Sequence, residues 1–362
     1  MELSRGLEPS ASAIARVAIA TSAEDAAWAF TQWKLRGAAR AKFEKADAML
    51  FVREAMEQAS HMKIARYRAA KFPHGELVGD LTAGIGADLI ALAERGPVLG
   101  FEIVLERQRY AEHNLGVYGL SAPVHVADCL FASWPFSYAF ADPSRRSGGR
   151  RERDPGHFSP DPFTLAKRMA SLKLAGLKLS PMISDDAFAE LGASLEFLSL
   201  GGECREATVW LGQDSESGRW AVLVESGDRL EALGAGASVA EPVEYFYEAD
   251  PAAIRAHCLG TLAERHGLAL LGDSNGYVTA RRLVQSPWLT AYRTVASGAF
   301  HERSIRKDLS AQGGATPDIK TRGVAIDVRR LRQSLRSEGR QPCWVAIYPV
   351  GSRHRYAILV KD

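Results

Sequence analysis

Cysteine is scarce in this chain of 362 residues: Cys129, Cys204, Cys258 and Cys343 are far apart, with no CxxC pair and no Cys/His metal spacing. That absence argues against a disulfide framework and against a zinc site, and it predicts reduced thiols in a cytoplasmic protein. No apolar run approaches the roughly 20 residues that span a bilayer, so no membrane partner is expected. The first twenty residues carry Glu2 and Glu8 and lack an apolar core, which argues against a secretion signal. No Ser/His/Asp nucleophile arrangement and no metal cluster stands out. The nine histidines are scattered, and His113, on a helix, reads as a surface or packing residue. Net charge is small as well, with 45 basic and 43 acidic residues. The balance conceals an asymmetry. From Arg281 onward, 16 lysines and arginines meet 6 acids, leaving 29 basic and 37 acidic residues before that point. A basic terminal module on an acidic body suggests a polyanionic partner.

What is present is an ordinary soluble composition, 46% hydrophobic and 24% charged, in a chain long enough for two or three domains. The organising stretch is 76–102. Leu77 and Val78 begin a short buried strand ending near Asp80, residues 82–86 make a tight glycine loop, 88–94 read as a helix, and 98–101 form a second strand ended by Glu102. Strand, glycine loop, helix, strand and acid open a nucleotide-binding α/β sheet. Gly84 and Gly86 let the backbone turn and approach a ligand, and the helix N-terminus faces an anionic part of it. Glu102 is placed to accept hydrogen bonds from ribose hydroxyls. A dinucleotide fingerprint needs a third glycine where Leu89 stands, and Asp80 would repel a pyrophosphate. An acid there suits a ligand with an ammonium end, such as the methionine part of S-adenosylmethionine.

The rest follows a doubly wound pattern. A helix is expected over 106–118, strands over 124–127 and 138–141, a helix over 163–175, a strand over 176–179, and closing strands at 197–200, 207–211 and 220–224 with Gly201 and Gly202 as a hairpin turn. Asp80, Glu102, Asp128 and Asp142 fall at strand ends on one sheet edge, where such folds build their sites. After Asp142 and Pro143 comes a loop with five arginines between Arg145 and Arg153, broken by Gly148 and Gly149. A loop of this charge beside a site suits phosphates. Residues 1–74 read as a helical segment, with apolar periodicity over 24–35, 41–51 and 53–70. It packs on the sheet or acts as a lid. Beyond an acidic stretch at 241–251, a helix over 252–266 capped by Asp250, short strands at 268–271 and 277–279, basic helices over 305–312 and 328–338, and strands over 343–348 and 355–360 make a small α+β module.

The segments Asp80-Leu-Thr-Ala-Gly-Ile-Gly, Ala141-Asp-Pro-Ser-Arg-Arg, Tyr247-Glu-Ala-Asp-Pro-Ala-Ala-Ile-Arg-Ala and Ile319-Lys-Thr-Arg-Gly-Val, with a helix over 42–58, resemble bacterial class I S-adenosylmethionine-dependent methyltransferases ending in a THUMP-like domain. The cofactor segment is also similar to that of trimethylguanosine synthases, which methylate a guanine amine. The resemblance implies a Rossmann-like α/β methyltransferase domain at 75–240, after the helical segment at 1–74, and a basic THUMP-like α+β domain at 241–362. It implies S-adenosylmethionine held by Asp80, Thr82, Ala83, Gly84, Gly86, Glu102, Ile103, Asp128 and Cys129, with Asp128 reading the adenine amine. It places catalysis at Asp142 and Pro143, where related amine methyltransferases carry an Asp/Asn-Pro-Pro-aromatic motif. Ser144, Arg145 and Arg146 depart from that motif, leaving Phe158 or Trp134 as alternative rings. Ser144, Arg145, Arg146, Arg150 and Arg151 become candidate substrate contacts, with RNA (tRNA or rRNA) as the expected substrate. A protein or small-molecule methyltransferase, or a binder of S-adenosylmethionine without turnover, stays open. An NAD-dependent oxidoreductase fits Asp80 and Leu89 badly.

Overall fold

Apolar runs in strands too short to alternate predict a sheet covered on both faces, and the computed structural model shows one. It describes residues 1–144, 146–147, 150–151, 158–192, 194–234, 236–272 and 275–361. Two compact units emerge. The first comprises Met1–Ser194 and Ala207–Ser217; the second comprises Leu195–Glu206 and Gly218–Asp362.

The first unit begins with α1 (Ala11–Ala20) and α2 (Ala23–Ala39), whose N-caps Ser10 and Ser22 accept from Ala13 N and Asp25 N. Two short helices follow, α3 (Arg53–Gln58) and α4 (Met62–Ala69). The sheet elements are β1 (Val78–Asp80), α5 (Ala87–Ala93), β2 (Val98–Glu102), α6 (Leu105–Val117), β3 (Val124–Val126) and β4 (Tyr138–Ala141). Two-residue strands β5 (Arg146–Ser147) and β6 (Arg150–Arg151) pair with each other. Then come α7 (Pro162–Met169), β7 (Leu174–Leu179) and α8 (Asp185–Leu191). Strands β2 and β4 flank β1 in parallel, β3 extends β2, and β7 extends β4. Residues 207–211 of β9 (Glu203–Leu211) close the unit antiparallel to β7. The connections reverse between β1 and β4, the switch point where ligands bind in open α/β sheets.

Three expectations are corrected here. Residues 41–51 are not helical, although Phe43, Ala46, Met49 and Phe51 are all buried at near-helical spacing. The backbone instead bonds to side chains of neighbouring helices. Gln32 exchanges two hydrogen bonds with Phe51, Arg36 Nε donates to Met49 O, and Asn114 exchanges two with Leu50 while donating a third to Ile85 O. The continuous helix over 42–58 is thereby reduced to α3. The helix expected over 163–175 stops at Met169, because Lys173 N and Leu174 N turn back to Ser137 O and Leu174 enters β7. Strand β3 is an edge strand with two exposed residues, shorter than the 124–127 expected.

In the second unit β8 (Ser194–Leu200), β10 (Gly218–Leu223) and β11 (Asp228–Glu231) lie side by side in the order β11, β10, β8. A seven-stranded sheet follows. It is built from β12 (Tyr245–Ala249), β13 (Ala269–Leu270), β14 (Tyr277–Ala280), β15 (Leu289–Ala299), β16 (Asp318–Thr321), β17 (Trp344–Val350) and β18 (Arg353–Val360). Its order is β13-β14-β12-β15-β18-β17-β16, and only β16 and β17 run parallel. The helices α11 (Glu302–Ala311) and α12 (Val328–Ser334) pack Ile305, Leu309, Leu331 and Leu335 onto Val345, Ile347 and Ile358. The other face carries Phe246, Tyr277, Tyr292 and Tyr348. The helix expected over 252–266 is broken into α9 (Pro251–Arg255) and α10 (Leu259–His266) at His257, whose φ is +61°. Both predicted ends hold: the Asp250 carboxylate accepts from Ala252 N, and Gly267 ends α10 with a left-handed φ of +64°. Strands β12, β15 and β16 had no counterpart among the expected elements.

Asn114 is fully buried, and truncating it strands two backbone carbonyls and one N–H at once. Asn114→Ala is expected to destabilise the first unit by about 2–4 kcal/mol. A denaturant titration checks this through a lowered midpoint with unchanged slope. An unshifted midpoint would mean that the turn region 41–51 is held by its apolar residues alone.

Candidate active site

A cavity of about 410 Å³ opens at the C-terminal ends of the parallel strands. Most of the residues expected to hold a cofactor line it: Thr82, Ala83, Gly84, Glu102, Ile103, Asp128 and Cys129, joined by Asp142 and Ser144. Gly84 adopts a left-handed φ of +56°, where a Cβ would meet only Thr82 O at 3.9 Å, and donates its N–H to Glu102 Oε2 at 3.0 Å. Glu102 Oε1 takes Val104 N at 2.8 Å, so two backbone N–H groups fix the carboxylate rigidly. Burial raises the Glu102 carboxyl above its ordinary value, against the lowering effect of those N–H groups and of Arg107. Asp128 Oδ1 accepts from Leu130 N at 2.9 Å, forming a turn at the cavity wall. Cys129 is buried, and its thiol is pushed up to about 12, chiefly by desolvation and then by Asp128. Burial and a raised thiol suit a packing wall rather than a nucleophile.

Gly86 differs from expectation. It stays outside the cavity lining, and a Cβ there would meet Ala111 Cα of α6 at 3.3 Å. Its φ of +92° and the close approach of α6 by themselves require glycine. Asp80 lies beneath the loop, 1% exposed, with Oδ1 accepting from Thr82 N at 3.2 Å. Its Oδ2 is buried and receives no hydrogen bond from any described residue. Desolvation, with Asp88, Asp142 and Glu102 adding like charge, raises this carboxyl well above its ordinary value. A buried acceptor atom without a donor, next to a cavity, fits a cationic group of a ligand such as an ammonium.

Asp142 follows β4, and its N–H donates to Thr82 Oγ1 at 2.6 Å. Its Oδ2 accepts from Lys178 Nζ at 2.6 Å. Lys178 is a site residue that sequence reasoning missed. Leu177 is the register partner of Ala141, so the next residues, Lys178 and Asp142, emerge side by side. A lysine inside the otherwise apolar run 174–179 was the available signal. Pro143 follows Asp142 and does not line the cavity. Glu54, Ala55, Gln58 and Ala59 of α3 form another wall, so the N-terminal segment both packs and lines the site. Two further missed residues sit behind that wall. Arg68, buried, pairs with Asp88 and donates to Ser60 Oγ at 2.6 Å, its guanidinium 4.6 Å over the Phe140 ring.

Neither candidate ring is available for a substrate. Phe158 is buried, and Trp134 stacks on Phe136 with the Arg168 guanidinium 3.8 Å above its own ring. Arg145 lies outside the described residues. Arg146, Arg150 and Arg151 are described only as backbone of β5 and β6. Among the described residues, no group of His, Cys, Asp and Glu is arranged to hold a metal ion, and no helix is long and apolar enough to cross a membrane.

A reversed parallel sheet, a glycine turn, an orphaned acid beneath it and an acid on the next strand define a Rossmann-like nucleotide-cofactor site of the methyltransferase class. The chain belongs to the S-adenosylmethionine-dependent methyltransferases. It is 32% identical over 309 residues to one from Mycobacterium tuberculosis, found in strains CDC 1551 and H37Rv, covering 84% of this chain and 85% of that relative. Residues 289–361 match the THUMP domain-like family. The fold is shared with a protein assigned as a methyltransferase from Porphyromonas gingivalis W83. The TM-score is 0.76 over all of this chain and 94% of that one, at 20% identity. The cofactor is S-adenosylmethionine, and Asp80 Oδ2, just beneath the cavity wall, is an unmatched buried acceptor of the kind an ammonium requires.

The raised carboxyl of Asp80 has a pH consequence. Its neutral form carries no desolvation penalty, so cofactor-free stability is full at low pH and falls as pH rises through the raised value. An ammonium needs the anion. Binding below that value therefore releases a proton, and affinity climbs with pH until it is reached. Calorimetry in two buffers of different ionisation enthalpy should show the released proton. Asp80→Asn should abolish it and weaken binding about 10- to 100-fold, the ~1.5–3 kcal/mol of a hydrogen bond to a charged group. A proton count unchanged by the substitution would place the titration elsewhere.

Proposed function

We propose that this methyltransferase methylates a base nitrogen of RNA, tRNA or rRNA, and that Asp142 orients the nitrogen. The observation that carries the reading is the position of the Asp142 carboxylate. It lines the same cavity as the cofactor residues, its backbone is pinned to Thr82, and one oxygen is committed to Lys178. Its other oxygen takes no hydrogen bond from any described residue, so it is free to accept one from an amine. S-adenosylmethionine supplies an electrophilic methyl group. Asp142 and the carbonyl near Pro143 then serve as acceptors that turn the nitrogen lone pair toward the cofactor side of the cavity. Asp80 takes the ammonium, Glu102 the ribose hydroxyls, and Asp128 the adenine amine, with Thr82, Ala83, Gly84, Ile103 and Cys129 as walls. Gly86 acts by shaping the loop. Ser144, Arg145, Arg146, Arg150 and Arg151 are assigned to the substrate side. The acceptor-side ring of amine methyltransferases has no counterpart at Ser144, so base stacking is left to the substrate's own neighbours.

Support for RNA comes from the basic balance after Arg281 and from the THUMP domain-like match. The arginines of α11 and α12 are exposed: Arg303, Arg306, Arg329, Arg330 and Arg332. The resemblance to trimethylguanosine synthases read from the sequence of the cofactor segment implies a base amine as acceptor. In functional terms the chain divides into a helical segment (1–74), a methyltransferase domain (75–240) and a THUMP-like domain (241–362). An RNA substrate and four free thiols both accord with the cytoplasm.

Methyl-labelled S-adenosylmethionine, incubated with the protein and an extract from a strain lacking the gene, should label the RNA fraction. Asp142→Ala should remove that label. Raising salt from ~50 to ~200 mM should slow transfer by at least about 10-fold, because several phosphate contacts release counterions. Label in protein or small molecules would keep the methyltransferase and discard RNA. Cofactor binding without any transfer would leave a binding protein.

A further inference from the structure

Lys178 is a buried ammonium, its side chain 8% exposed, on the strand next to the one that leads into Asp142. Its Nζ reaches three groups from three parts of the first unit. They are Asp142 Oδ2 at 2.6 Å, Ser60 Oγ at 3.2 Å and the Gln58 carbonyl at 3.3 Å. Each has its own connection to the cavity. Gln58 lines it and its Oε1 accepts from Ser144 Oγ at 3.4 Å. Ser60 Oγ donates to Asp88 Oδ2 at 3.1 Å, and Asp88 lines the cavity from the cofactor loop side. The ammonium therefore joins the acceptor-side carboxylate, the last turn of α3 and the first turn of α5.

Helix α3 needs this tie. Six residues are too few to hold a helix by hydrogen bonds within it, and its last carbonyls carry the negative end of the helix dipole. Two ammonium groups meet those carbonyls. Lys42 Nζ takes Met56 O, Glu57 O and Ala59 O at 2.8–3.0 Å from one side, and Lys178 takes Gln58 O from the other. Lys42 does not touch Asp142 in any hydrogen bond described. Lys178 binds both the α3 wall and the carboxylate.

We infer that Lys178 is a positioning residue for methyl transfer: it fixes one oxygen of Asp142 so that the other meets the acceptor nitrogen, and it ties that geometry to the α3 wall of the cavity. The inference rests on Asp142 as the acceptor-side carboxylate. An ammonium shared among an acid, a hydroxyl and a carbonyl has three donors in fixed directions, which leaves Asp142 little freedom to rotate. Removing it frees the half-buried carboxylate to rotate and takes away its counter-charge. Fixed geometry of this kind governs turnover more than cofactor affinity, and a displacement of about 1 Å costs about 100-fold in rate.

The test uses full-length protein, labelled S-adenosylmethionine at saturation and unfractionated extract from a strain lacking the gene. The variants are Lys178→Met, Lys178→Arg, Asp142→Ala and the double variant Lys178→Met with Asp142→Ala. Lys178→Met is expected to slow transfer about 100-fold, with S-adenosylmethionine affinity by calorimetry kept within about threefold. Lys178→Arg should recover part of the rate, since it restores the cation with a wider fork. The double variant should be no slower than Asp142→Ala, because Lys178 acts through that carboxylate. A near-normal rate for Lys178→Met beside a strongly impaired Asp142→Ala overturns the inference and leaves the proposed role of Asp142 standing. So does a double variant whose losses multiply, or a parallel loss of cofactor affinity. Normal turnover by Asp142→Ala overturns the proposed role of Asp142 first and this inference with it, and no transfer by the unaltered protein overturns both. If Lys178→Met does not fold, Lys178→Arg decides: a slower rate at unchanged affinity supports the inference, and an unaltered rate overturns it.

Discussion

Carboxylates crowd one edge of the first unit's sheet, and most of the surrounding polar structure answers that crowding. Parallel pairing in register puts the ends of β1, β2 and β4 together, so Asp80, Glu102 and Asp142 come within each other's field. Asp88 joins them from the first turn of α5. Unscreened carboxylates this close would not all stay ionised in a buried place. The chain distributes the compensation. Backbone N–H groups of Gly84 and Val104 hold Glu102, Arg68 from α4 pairs with Asp88, and Lys178 from β7 pairs with Asp142. Asp80 is left with one oxygen unmatched. A local imbalance is therefore left at Asp80, where the proposed reading puts the cationic group of the cofactor.

The same logic explains why an N-terminal segment of modest hydrophobicity belongs to the catalytic unit. It brings Arg68 and Ser60 to the network and the α3 wall to the cavity. Its irregular stretch, residues 41–51, buries four apolar side chains and passes its backbone groups to Gln32, Arg36 and Asn114. Those three polar side chains are themselves buried, so each satisfies its own demand while satisfying the backbone's. Packing and polar pairing thus settle together, and the cavity wall depends on both.

The second unit follows different rules. Its strands are mostly antiparallel, its sheet carries aromatic rings on one face and two basic helices on the other, and its ion pairs tie distant strands. Glu248 of β12 accepts from Lys320 of β16 and from Arg322 just beyond it at 2.7 and 3.0 Å, although β15, β18 and β17 lie between β12 and β16. Those pairs lower the Glu248 carboxyl against the opposing effect of burial. A sheet whose edge and interior strands meet through side chains must be strongly coiled.

The cofactor loop was legible in the sequence because its requirements are local. A glycine with positive φ at 84, an acid before the loop and an acid at the next strand's end are consequences of neighbouring residues, and short apolar runs mark the parallel strands. Asp142 was legible for the same reason. Residues 41–51 show a helical spacing that the fold does not use, because side chains from positions 32, 36 and 114 offer the backbone better partners than its own helix. Gly86 looked like a ligand contact, and only the approach of α6 shows that it makes room for Ala111. Lys178 lies 36 residues from Asp142, and nothing local connects them until β4 and β7 align. The sequence by itself determined the glycine loop after β1 and the acids on the strand ends, since a turn and a strand terminus are set by adjacent residues. Only the tertiary structure decided which cations meet those acids and which helix walls the cavity, since long-range pairing brings those groups together.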